Sequence, residues 1–245
     1  MTSNNFTSIP KLPASVQVLV LSDNNLDLSQ MSELPSRLKL LDLCRAGTGA
    51  FQNYTFPSSI QELHLTDLNL SDMSGVKFAK GSKLKELKLR CCVSRKIDDK
   101  MIELPLGLKV LDVYGNFLED INNVTIPQTV TFLDLRYNKL KSLEFKSHIE
   151  TLYLCDNYSL SSLTIPKDLE LRVLDLMGTE FRKLPPDLLG AEILTQLRLG
   201  FQVKVFDFLK VPINIRALQI SRRCVVKGPH RYPYKIIFRS SFEVP

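Results

Sequence analysis

A chain of 245 residues with 44% hydrophobic and 24% charged residues, 13 Pro and 10 Gly has the composition of a folded globular protein of one or two domains. Its apolar runs are short and interrupted by charge, which argues against a membrane-spanning segment, and residues 1–20 lack the basic and apolar regions of a secretory signal. Of the formal charge of +6, residues 222–245 carry +5 (six basic side chains against Glu243) and the rest of the chain only +1, so a near-neutral body ends in a basic tail.

One phrase, apolar-x-x-Leu-x-apolar, recurs ten times, and the unbroken repeat favours a single domain. Residues 1–12 read as the back half of such a unit: Asn4 and Phe6 align with Asn24 and Leu26 of the next one, and the matching strand would lie ahead of Met1. Stacked repeats usually need a polar terminal cap. We therefore expect either a truncated or divergent piece of a longer repeat protein, or a chain in which residues 1–12 are a minimal cap.

Strands are then predicted around Leu19, Leu41, Leu63, Leu87, Leu111, Leu133, Leu152, Leu174, Leu197 and Leu218, a period of roughly 19–24 residues. Five open with Pro three residues before an apolar entry position: Pro13 with Val16, Pro35 with Leu38, Pro57 with Ile60, Pro105 with Leu108 and Pro127 with Val130. Alternation within Leu-x-Leu sends the two apolar side chains to one face and the middle one to the other. A single such strand cannot bury its apolar face, so neighbours must stack. Five residues beyond each anchor stand Asn24, Asn116, Asn138 and Asn157, with Cys92, Thr179 and Gln202 at the same offset. A buried amide there can satisfy the backbone of the turn that follows the strand. Ala46, Leu68 and Arg223 interrupt this ladder.

The repeat P-x-x-φ-x-x-L-x-L-x-x-N-x-L, in stretches such as LPLGLKVLDVYGNFLEDI and IPQTVTFLDLRYNKLKSL, resembles the leucine-rich repeat superfamily over about residues 4–226. The resemblance implies an α/β leucine-rich repeat solenoid of about ten repeats, a curved right-handed superhelix with a parallel sheet on its concave face. Residues 1–226 would form the repeat domain and 227–245 a basic C-terminal cap or tail. The Pro-x-x-φ openings are similar to the short, extended repeats of fungal F-box proteins and of some bacterial effectors. We expect neither an adaptor-binding helical motif ahead of the first repeat nor a catalytic ligase domain after residue 226.

Function in such a fold is expected on the concave face. The register places Asp42, His64, Lys88, Asp112, Asp134, Tyr153 and Asp175 in one column, Cys44, Arg90, Tyr114, Arg136 and Cys155 in a second, and Tyr137 in a third. Glu62, Glu86 and Phe132 lie just before their anchor leucines. Tyr and Arg dominate interface hot spots, so the candidate partner-binding patch is Asp112, Tyr114, Phe132, Asp134, Arg136, Tyr137, Tyr153 and Asp175. The competing reading of the same residues is a lattice of surface ion pairs, Asp134 and Asp112 with Arg136.

Enzyme chemistry finds little support. His64, His148 and His230 fall in different repeats or the tail, no H-x-x-H, H-E-x-x-H or C-x-x-C spacing occurs, and no Gly-rich phosphate loop is present. His64 with Cys44 one strand away only imitates a nucleophile and base. No catalytic residue, metal, cofactor or small-molecule substrate is therefore expected. Five cysteines without paired spacing favour a reducing compartment, cytoplasmic or nuclear. Five N-x-S/T sequons, at Asn5, Asn53, Asn69, Asn123 and Asn157, read as chance because Asn157 occupies the ladder.

In the tail, Arg222, Arg223, Lys227, Arg231, Lys235 and Arg239 interleave with Tyr232, Tyr234 and Phe238, which suits nucleic acid or an anionic membrane. Alternatively, KIIFR forms a last edge strand whose charges block further pairing. The sequence thus favours a non-enzymatic protein-interaction scaffold, with the substrate-recognition part of a ubiquitin-ligase-like assembly as one form of it. The alternative is nucleic-acid or membrane binding through the tail.

Overall fold

The computed structural model describes residues 1–68, 70, 75–92, 102–144, 148–166, 170–200, 202–207, 214–221, 224–227 and 235–239. The chain forms two compact units, Met1–Val130 and Thr131–Pro245. In the first, the strands Val18–Val20, Leu40–Asp42, Glu62–His64, Glu86–Lys88 and Val110–Asp112 pair in parallel, each with the next. In the second, Phe132–Asp134, Thr151–Tyr153, Val173–Leu176, Gln196–Leu199, Ala217–Ser221 and Lys235–Arg239 do the same.

Register follows the anchor leucines although the repeats differ in length. Leu19 pairs with Leu41, Leu41 with Leu63, Leu63 with Leu87 and Leu87 with Leu111. Leu133, Leu152, Leu174, Leu197 and Leu218 continue in the same way within the second unit. All ten anchors are buried. A one-residue slip would turn this whole set toward water, so the length differences are absorbed in the return segments. Each buried leucine contributes on the order of 1.5–3 kcal/mol.

The repeated Pro is a turn former. Val16, Leu38, Ile60, Leu108 and Val130 each donate their backbone N–H to the carbonyl of the Pro three residues earlier, at 3.0–3.2 Å. These five repeats therefore enter their strands through a β-turn, and four of the five entry side chains, those of Leu38, Ile60, Leu108 and Val130, are buried.

At the other end of the strand the chain must reverse sharply. Asp23, Arg45, Asp67, Cys91, Gly115, Tyr137, Asp156 and Gly178 all have φ between 50° and 68°. This left-handed turn aims backbone N–H groups sideways: Asp23 donates to Cys44, Arg45 to Thr66, Cys91 to Tyr114 and Asp156 to Met177, at 2.8–3.0 Å. Ser3, with φ 54, likewise donates to Ser22, so the first residues run beside the turn of the first strand.

The asparagine ladder closes the same turn from inside. Asn116 Nδ2 donates to the carbonyls of Leu89 and Val113, while its Oδ1 accepts from the Cys92 N–H. Asn157 donates to Leu135 and Leu154 and accepts from Leu140, and Asn24 accepts from Phe6. Cys92 and Thr179 keep only the donor half, bonding the carbonyls of Leu65 and Leu176. Where Ala46 interrupts the ladder, its own N–H bonds the Leu43 carbonyl.

Among the described residues the return segments contain short parallel strand pairs, such as Tyr54–Phe56 with Val76–Phe78 and Ser142–Glu144 with Ser162–Thr164. The same described residues include the 3-10 helices Leu28–Gln30 and Pro186–Gly190. An extended segment covers about 3.3 Å per residue against about 1.5 Å for an α-helix. A repeat of this length can therefore span the width of the layer without a helix. The fold is a leucine-rich repeat solenoid built on a parallel sheet.

Candidate functional site

The strands present the middle residue of each Leu-x-Leu, and the residue before the anchor, to the solvent face of the sheet. In the first unit this face holds a half-buried polar cluster. His64 Nε2 lies 3.2 Å from Glu86 Oε1, and Lys88 Nζ lies 2.5 Å from the same oxygen and 3.5 Å from His64 Nε2. Register puts Glu62 directly opposite Glu86, and His64 opposite Lys88 and Asp42. Burial alone would raise the Glu86 carboxyl, but Lys88 and His64 together hold it below its ordinary 4.5. For Asp42, bonds from Cys44 and Ser22, with His64 nearby, likewise outweigh burial and keep it below 3.8.

The aspartates of the central column share one local geometry. Oδ1 of Asp42, Asp112, Asp134 and Asp175 accepts the N–H of the residue two positions on, at 2.9–3.1 Å. The carboxylate thus braces the start of the left-handed turn. Asp112, Asp134 and Asp175 are 1%, 0% and 3% exposed. Each buried carboxylate holds an arginine: Asp112 holds Arg90 at 2.6 Å, Asp134 holds Arg136 at 2.6 Å and Asp175 holds Arg198 at 3.2 Å. Burial raises the Asp175 carboxyl despite the Met177 N–H and Arg198.

Two of these arginines lie over aromatic rings. In the first unit the Arg90 guanidinium is 5.8 Å from the Tyr114 ring centre. In the second unit Arg136 is 5.1 Å from that of Tyr153, and Phe132 meets Tyr153 edge to face at 5.5 Å. Phe132, Arg136 and Tyr153 form one aromatic and cationic cluster braced from beneath by Asp134. Tyr137 lies at the left-handed corner, 44% exposed. The expected ion pair of Asp134 with Arg136 is formed, and Arg90 is also a partner of Asp112.

Sequence reasoning places Glu62, His64 and Glu86 in two columns without joining them. The contacts that cross from one column to the other, His64 and Lys88 onto Glu86, depend on rotamers and reveal the cluster only in the folded chain. The same reasoning passes over Arg90 and Arg198 as partners of the buried aspartates. Cys44 bonds Asp42 through its N–H rather than pairing with His64, and burial followed by Asp42 raises its thiol pKa, the opposite of what a nucleophilic thiolate requires. Burial pushes Cys92 up to about 12.

The tail falls largely outside this description. Arg222, Arg223 and Arg231 lie outside the described residues. Lys227 is exposed at the end of the strand Val225–Lys227, and Lys235 and Arg239 begin and end a strand paired with Ala217–Ser221. Among the described residues no helix is long and apolar enough to cross a membrane.

No protein-family model matches the sequence, and no curated protein matches it. Solved structures define the class: the fold is that of the leucine-rich repeat proteins. YopM from Yersinia enterocolitica is similar over 88% of this chain and 48% of its own, with 20% identity and a TM-score of 0.57. YopM from Yersinia pestis, described as a leucine-rich effector protein, is similar over 88% of this chain and 63% of its own, with 20% identity and a TM-score of 0.54. The chain thus spans about half to three fifths of the length of these two proteins.

Proposed function

We propose that the chain is a non-enzymatic scaffold that binds a protein partner through the solvent face of its leucine-rich repeat sheet. The observation that carries this reading is the Phe132, Arg136 and Tyr153 cluster, where a buried carboxylate fixes an arginine across an aromatic ring. Such a side chain has already lost much of its rotamer freedom, so less is lost on binding, and Arg and Tyr are favoured at interface hot spots. Tyr137 extends the patch, Tyr114 with Arg90 repeats its chemistry in the first unit, and Asp112, Asp134 and Asp175 serve as positioning residues for Arg90, Arg136 and Arg198. The likeness in fold to a leucine-rich effector supports a scaffold role. Service as the recognition arm of a larger, ubiquitin-ligase-like assembly in the cytoplasm or nucleus extends the same reading.

The test is affinity capture by the intact chain and by the Tyr114→Ala, Arg136→Ala, Tyr153→Ala variant, at low and high salt with nuclease present. Proteins held at high salt by the parent and lost by the variant support the proposal. Retention by both would sink it. Loss of all bound material with salt or nuclease would transfer the function to the basic tail, since phosphate contacts weaken steeply with salt.

A further inference from the structure

The Glu62, His64 and Glu86 cluster combines features that the scaffold reading does not use. Their ligand atoms, one per residue, all lie within 4.8 Å of one another, and all three residues are half-buried. Glu62 and Glu86 face each other directly across adjacent strands, an arrangement that repels unless a cation lies between them. A cation is present: the Lys88 ammonium, against Glu86 and within reach of His64 Nε2. His64 Nε2 can donate to Glu86 when protonated or accept from Lys88 when bare, but not both. The bare form that accepts from Lys88 is also the form that ligates a metal.

We propose that Glu62, His64 and Glu86 form a Zn²⁺-class transition-metal site, in which Lys88 is a resident cation that the metal displaces. One imidazole nitrogen with two carboxylates suits Zn²⁺ rather than an all-oxygen cation such as Mg²⁺ or Ca²⁺. Zinc bonds of about 2.0–2.2 Å place tetrahedral ligands about 3.3 Å apart, and His64 Nε2 and Glu86 Oε1 are already 3.2 Å apart. Glu62 reaches the ion by a rotamer change on the solvent side, and water completes the shell. Asp42, opposite His64 on the neighbouring strand, adds negative potential. Lys88 swings outward as Zn²⁺ enters, so affinity is set by competition between the two cations.

The experiment is titration of the intact, chelator-treated chain with Co²⁺, followed by displacement with Zn²⁺. One equivalent should give a visible spectrum without a thiolate charge-transfer band, because no cysteine is a ligand. His64→Ala and the isosteric Glu62→Gln should each weaken binding by at least about tenfold. Lys88→Met should tighten it by about tenfold, a gain that a destabilised variant would not give, and His148→Ala should change nothing. Thermal melts of the metal-free variants establish that they are folded. A thiolate band, or binding that survives in His64→Ala, would assign the metal to cysteines and overturn the site; so would failure to saturate in both the parent and Lys88→Met.

Discussion

At the scale of single residues, the ladder amides and the column aspartates satisfy backbone groups that the hydrophobic pattern cannot. Asn157 is buried and makes three hydrogen bonds to backbone groups that no strand ladder reaches. Replacing it with Ala leaves buried polar groups unpaired, so Asn157→Ala should lose roughly 2–4 kcal/mol of stability in urea unfolding. The aspartates separate by pH. Asp42 ionises more easily in the fold than outside it, so its contribution is present above the ordinary carboxylate range and is lost as pH falls through its folded value. Asp175 ionises less easily, so its contribution is full below the ordinary 3.8 and is lost as pH rises through the raised value. Unfolding curves from about pH 3 to about pH 7 should therefore show Asp42→Asn falling further behind the parent as pH rises, and Asp175→Asn gaining on it. The Asn positions are legible as structural because their offset from each anchor is fixed. The burial of Asp112, Asp134 and Asp175 is not, because it depends on neighbours in the adjoining repeats.

At the scale of elements, the unit is a β-turn opened by Pro, a short strand and a left-handed corner. The corner is the costliest part for an ordinary side chain, which explains Gly115 and Gly178 in a column otherwise filled by Asp, Arg, Cys and Tyr. A Cβ at Gly178 would also collide with Asp156 of the preceding repeat. Gly178→Ala should therefore cost at least about 1–2 kcal/mol, whereas Cys91→Gly, at φ 51, should cost little or stabilise; thermal melting of the two variants distinguishes these outcomes. The strand anchors behave as core: Leu63→Ala and Leu174→Ala, both fully buried, should each lose about 2–5 kcal/mol in urea unfolding. The strands and their register are readable from the period alone, since a short strand needs only alternation and a partner of the same phrase. In sequence the corner reads as a third outward column, because one residue's φ leaves little trace when Arg, Cys and Tyr occupy it.

At the scale of the whole molecule, repetition supplies a framework and a few side chains supply the specificity. Tyr114→Ala with Tyr153→Ala removes only side chains from the sheet's solvent face, so the melting temperature of that double variant should stay close to that of the parent while partner capture falls; adding Arg136→Ala leaves the buried Asp134 carboxylate without its arginine and should lower it further. A large fall in the melting temperature of the double variant would show that the two tyrosines hold the fold and are not a grafted site. The repeat, the fold class, the parallel register and the buried anchors are all specified one-dimensionally, because each follows from a pattern carried within one repeat and copied in the next. The columns already make neighbours of Glu62 and Glu86 and of His64 and Lys88, but folding alone settles that His64 and Lys88 converge on one Glu86 oxygen, that Arg90 turns to Asp112 and that Arg136 lies across Tyr153. Most of those contacts form laterally, between residues of successive repeats, and all depend on rotamers and burial that a one-dimensional period does not encode.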